Sequence, residues 1–172
     1  IISEIISNIF ETLGVILIIL IFSAYLLLTK RKKESLIFIL AVSLSSLAVS
    51  ILKNVYHIAR PVNSLISEAD FSFPSGHSSI SVVLFGLFAY FYLKNSNRNK
   101  TQIILTSILG IFIVSFSRLY LNVHWFIDIL GGIIIGCIGL VLALCLFDLG
   151  KPIQRKENIN ASLDKKGSYT IL

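Results

Sequence analysis

Three short polar stations interrupt an otherwise apolar sequence: Lys53 to Arg60-Pro61, Pro74-Ser75-Gly76-His77, and Ser117-Arg118 followed by His124 and Asp128. Together they supply three cations, two imidazoles and one carboxylate, a set able to carry out phosphoryl transfer without a metal. Lys53 and Arg60 stand seven residues apart, about two helical turns, so both can project from one face if the helix continues past Lys53. Such a pair is a phosphate clamp, the lysine acting as a point charge and the arginine as a fork matching two phosphate oxygens. Pro61 then ends the helix or redirects the chain. Ser75 is placed to N-cap the apolar segment after it, Gly76 allows close approach to the backbone, and the amides of that helix start form an anion site. His77 beside a bound anion is favoured in its protonated form and suits a leaving oxygen that needs a proton. His124 and Asp128 are at i and i+4, so the carboxylate can take one imidazole N–H and turn the other nitrogen toward phosphorus. This is the base-and-orienter logic of a hydrolase triad, with histidine as the nucleophile.

The elements that must hold these residues are set by composition. Of 172 residues 55% are hydrophobic and only 14% charged, and the mean hydropathy is +0.87, so the solvent for most of the chain is a bilayer. Five apolar runs, at about 10–29, 35–53, 78–94, 101–117 and 124–148, are long enough to span it as helices. The fold class expected is therefore an all-α polytopic transmembrane bundle over residues 1–150, followed by a polar tail at 151–172. The first run has acidic Glu4 and Glu11 before it and no small-residue cleavage pattern after it, so it is expected to be a retained anchor. Cys137 and Cys145, eight residues apart on the last run, cannot reach each other and are expected to be apolar fillers.

If the spans alternate, Lys30–Lys33, the 94–100 loop and the tail share one side and hold twelve of the fifteen Lys and Arg residues. Lys53, Arg60 and Arg118 share the other side with both imidazoles. The positive-inside bias then makes the first side and the C-terminus cytoplasmic, and places the three stations on the periplasmic or exterior face of an inner or plasma membrane. The net charge of +6 sits next to span ends without a groove or interleaved aromatics, which points to anionic head groups and away from nucleic acid. Trp125, Tyr120, Tyr56, Phe71 and Phe73 are expected to form an interfacial belt, and Gly132 and Gly136 a close helix contact. His57 is expected to be a bland interfacial residue.

The three stations together resemble the signature of the type 2 phosphatidic acid phosphatase (PAP2) superfamily, over the second span to the fifth. The matching positions are Lys53, Arg60 and Pro61; Pro74, Ser75, Gly76 and His77; and Ser117, Arg118, His124 and Asp128. The resemblance implies a metal-independent hydrolase without a cofactor. In it His124 attacks phosphorus, Asp128 orients it and His77 protonates the leaving group, while Lys53, Arg60, Arg118, Ser75 and the Gly76 amide hold the phosphate. It also implies a membrane lipid phosphate or diphosphate as partner, with undecaprenyl diphosphate, phosphatidylglycerophosphate and the lipid A 1-phosphate as candidates. Membrane members commonly have six spans, so a further helix is expected on the N-terminal side of these five. The segment Val62 to Phe73 is short, and the site is expected to be lightly covered. A transporter or channel with an interfacial anion site, or a vanadate-dependent oxidase, are the readings that compete.

Overall fold

A backbone immersed in hydrocarbon must satisfy its own hydrogen bonds, and the described residues of this chain do so as five helices. In a computed structural model, which describes residues 12–66, 68, 70–95 and 99–149, the order is α1 (Thr12–Leu28), α2 (Lys32–Tyr56), α3 (Gly76–Asn95), α4 (Lys100–Tyr120) and α5 (Phe126–Leu149). Helices α2 to α5 are each long and apolar enough to cross a membrane, and α1 is an apolar helix of 17 residues. The all-helical bundle read from hydropathy is thus what forms, with four of the five expected spans long enough to cross and the first a shorter apolar helix among the described residues. The polar tail at 151–172 and the residues before 12, including Glu4 and Glu11, lie outside the described residues.

Helix α3 is the central member. It packs against α2, α4 and α5, while α5 also packs on α2 and α1 rests on α2. Gly132 and Gly136 explain how closely α5 lies on α3: a Cβ at the first would stand 2.3 Å from the Ser75 carbonyl oxygen, and at the second 2.5 Å from that of Ser79. The expected small-residue pair therefore brings one helix against the backbone of the other. Ser75 N–H also donates to the Asp128 carbonyl at 2.9 Å, so the start of α3 is pinned to the first turn of α5.

The chain alternates direction, which divides the bundle into two unlike ends. Lys53 in the last turn of α2, Gly76 at the start of α3, Arg118 in the last turn of α4 and Asp128 in the first turn of α5 mark one end. At the other end the core of Leu26, Phe38, Val83, Leu87, Phe91 and Phe147 is buried, and three cations lie over its aromatic rings. Lys94 Nζ is 4.0 Å from the centre of the Phe147 ring and Lys33 Nζ 4.9 Å, while the Arg31 guanidinium is 5.8 Å from that of Phe91. Lys33 also donates to the Phe147 carbonyl at 2.8 Å, and Glu34 pairs with Arg31 and Lys94 at 3.6 and 3.7 Å. Leu20, Ile21, Leu109, Ile138 and Leu142 point outward, as do Cys137 and Cys145, which is the exterior expected of a lipid-facing bundle.

Candidate active site

The polar end is assembled from helix termini. Helix α2 stops at Tyr56 because His57 takes a left-handed conformation (φ 49°) and its N–H closes onto the Lys53 carbonyl at 3.1 Å. Pro61 is therefore not the terminator, and Lys53 and Arg60 are not two turns apart on one helical face. Arg60 lies in the irregular segment beyond the helix and reaches the site from the side. His57 packs edge-on against Phe71, with ring centres 4.5 Å apart, and does not border the site's cavity.

Helix α3 opens with Ser75 as its cap: the Ser75 hydroxyl accepts the Ser78 N–H at 3.4 Å and the Ser78 hydroxyl at 3.2 Å. This matches the expected cap; the side chain is fully buried, and both hydrogen bonds use its oxygen as acceptor. Gly76 differs, because a Cβ there would touch only Val49 Cγ1 at 3.6 Å. The packing does not require glycine; its bare backbone borders the cavity, where the first-turn amides of α3 can meet an anion.

Helix α5 begins two residues later than hydropathy suggests, at Phe126, so His124 stands in the turn before it. The i, i+4 approach survives because Asp128 folds back. Its Oδ2 accepts the Trp125 N–H at 2.8 Å, closing the helix start as a capping box does, and also meets His124 Nδ1 at 3.3 Å. With Nδ1–H given to Asp128, the lone pair of Nε2 faces the Arg60 Nη1 at 3.4 Å. Burial disfavours the imidazolium of His124, Asp128 favours it, and the charges of Arg60 and Lys53 again oppose it. The net effect holds His124 below the ordinary histidine value, so it is a neutral, orientable base near pH 7.

Lys53, Gly76, His77 and His124 line one cavity of about 340 Å³. Its other walls are Ile16 and Ile19 of α1, Ser46, Val49 and Ser50 of α2, and Ile80 of α3. Ser46 to Lys53 is seven residues, so the cavity follows α2 for about 10 Å, from a charged mouth into an apolar stretch among three helices. Trp125, next to His124, ties the segment after α2 to the turn before α5 by donating its indole N–H to the Ala59 carbonyl at 2.9 Å. Tyr56, Tyr120 and Trp125 are exposed as an interfacial belt should be, whereas Phe73 packs edge-on against Tyr56 and Phe71 against His57.

Two acidic residues beside the site were not expected from the sequence, Glu68 and Asp70. Both come from the short segment between α2 and α3, and both border the cavity. Asp70 pairs with Lys53 and Arg60; Glu68 pairs with Arg60 at 2.7 Å and with Arg118. Burial pushes the Asp70 carboxyl up, but the hydrogen bonds from Lys53 and Arg60 more than reverse this and leave it below its usual range. Arg118, only 1% exposed, stands behind Glu68 and does not itself border the cavity. The segment is thus more than the light cover its length suggested. The signal was available: three cations gathered in one low-dielectric end need counter-charges.

A sequence model of the PAP2 superfamily matches residues 34–150. Phosphatidylglycerophosphatase B of Bacillus subtilis (strain 168) is 31% identical over 144 residues, covering 81% of this chain and 67% of that protein. The crystal structure of a transmembrane PAP2-type phosphatidylglycerolphosphate phosphatase from Bacillus subtilis superimposes with a TM-score of 0.80 at 26% identity, over 89% of this chain and 80% of that one. LpxE of Aquifex aeolicus shares the fold, with a TM-score of 0.57 at 24% identity over 83% of this chain and 92% of that one. With its stations gathered at one end of a membrane bundle of the same architecture, the chain belongs to the PAP2 superfamily.

Proposed function

We propose that the protein is a lipid phosphatase that removes a phosphate or diphosphate monoester from a membrane lipid through a phosphohistidine. The observation that carries this is the setting of His124: one nitrogen held by Asp128, the other facing Arg60, in a cavity whose far end is apolar. An ion or a small soluble ester has no use for Ile16, Ile19 and Ile80, whereas a lipid can leave its tail among α1, α2 and α3 with its phosphate at Lys53 and Gly76. The relative named phosphatidylglycerophosphatase B supports a lipid phosphate, and favours phosphatidylglycerophosphate over undecaprenyl diphosphate and lipid A 1-phosphate.

In the first step the Nε2 lone pair of His124 forms a bond to phosphorus, the bond to the lipid oxygen breaks, and His77 gives that oxygen a proton. In the second, His77 takes a proton from water, whose oxygen attacks phosphorus as the P–N bond breaks and inorganic phosphate leaves. Lys53, Arg60 and the Gly76 amide meet the charge on the equatorial oxygens, so no metal is invoked. Ser75 acts through the helix start it caps, and Arg118 joins the cradle once Glu68 releases it. The basic residues at the opposite end favour a site on the extracytoplasmic side. The test is phosphate release by the purified protein from those three lipids with excess chelator present. Release from at least one is expected; release from none, or only on adding a divalent cation, contradicts the proposal.

A further inference from the structure

Every donor of the Arg60 guanidinium is already engaged by the protein. Nε donates to the Asp70 carbonyl at 2.9 Å and Nη1 to the Val123 carbonyl at 2.8 Å, with His124 Nε2 at 3.4 Å from the same nitrogen. Nη2 serves the carboxylates of Asp70 and Glu68 together with the Phe71 carbonyl at 3.4 Å. Lys53 donates to Asp70, and Arg118 to Glu68. The two carboxylates therefore take the positions around the three cations that the oxygens of a phosphate would take.

A phosphate monoester brings about 1.5 to 2 negative charges near pH 7, close to the two that Glu68 and Asp70 bring. It cannot be received by Arg60 while both remain, because a guanidinium has five N–H groups and these are spent. We propose that Glu68 and Asp70 are a built-in competitor of the substrate phosphate, exchanging with it at Lys53, Arg60 and Arg118 and setting the concentration at which the cradle fills. This rests on the reading of the cradle as a phosphate site. The Asp70 side chain is 56% exposed against 22% for Glu68, so Asp70 is the carboxylate that withdraws to water at lower cost. Simple competition has a definite signature: removing the competitor tightens every anion by the same factor, and it lowers KM by that factor without raising the rate of the chemical step.

The experiment is binding of inorganic phosphate and of orthovanadate to the detergent-solubilised full chain by titration calorimetry, for the unmutated protein, Asp70→Asn, and Glu68→Gln with Asp70→Asn. Both anions should bind about tenfold tighter to the double variant and about threefold tighter to Asp70→Asn, four ion pairs of modest strength being lost in the first case and two in the second. KM for any lipid that is turned over should fall by the matching factor, with kcat little changed. Unchanged affinities would overturn the proposal, and so would weaker binding, which would make the carboxylates organisers of the cations. Should the double variant not fold, Asp70→Asn carries the test alone. Binding is read without turnover, so absence of phosphate release from every lipid would count against the proposed function and leave this result standing.

Discussion

The two ends of the bundle are built from the same residue types and put them to opposite uses. At the far end Arg31, Lys33 and Lys94 lie over the rings of Phe91 and Phe147, with Glu34 between two of them. There the cations close the bundle: their partners are core rings, a helix-end carbonyl and the carboxylate of Glu34, which is fixed in the first turn of α2. At the site end Lys53, Arg60 and Arg118 have carboxylates as partners, on a segment outside the helices and beside a cavity. A carboxylate is an oxyanion that another oxyanion can displace. The difference between a structural cation and a ligand-binding one therefore lies in the partners each is given, rings and a helix-borne carboxylate at one end and loop carboxylates beside a cavity at the other, more than in the cation or its burial.

The comparison can be broken most severely at the imidazoles. His124→Ala should lower phosphate release by about a thousandfold or more and His77→Ala by about a hundredfold or more, with helix content and thermal stability retained. Near-normal release from either variant, measured with the preferred lipid, would remove its assigned role. The helix contact beneath the site comes next. Gly132→Ala places a Cβ against the Ser75 carbonyl, so α3 and α5 must part, costing about 1 to 3 kcal/mol and displacing the start of α3. Its unfolding temperature in detergent should drop and release should fall with it; an unchanged melting curve would mean that the helices yield freely. The smallest effect belongs to the far end, where Lys94→Gln should cost about 0.5 to 1 kcal/mol of stability and leave phosphate release as it was. Loss of activity there would show that the two ends are coupled.

The helices were legible because hydrocarbon leaves a backbone little choice, and apolar length alone then locates spans. That the three stations meet at one end was legible for the same reason, since alternating spans carry every second loop to the same side. What hydropathy could not show was where each helix ends. His57 stops α2 through a left-handed backbone that no composition announces, and so moves Arg60 off the helix and around to His124. The start of α5 was misplaced by two residues, yet the His124 to Asp128 pairing held, because a carboxylate folding back over the first turn spans the same gap as one on a continuous helix. The capping role of Ser75 was legible too, and in it the hydroxyl oxygen serves as the acceptor of both bonds. Glu68 and Asp70 were passed over because the segment was judged by its length, while the charges it had to neutralise lay on other elements.

The most direct measurement is to mix the protein with a lipid bearing radiolabelled phosphate, quench within milliseconds and locate the label by peptide mapping. The expected result is an acid-labile, base-stable phosphoryl group on the peptide containing His124, absent from His124→Ala and formed in the presence of chelator. Turnover with no label on the protein at any quench time, or label held on a residue other than His124, would contradict the proposal that this imidazole is the nucleophile.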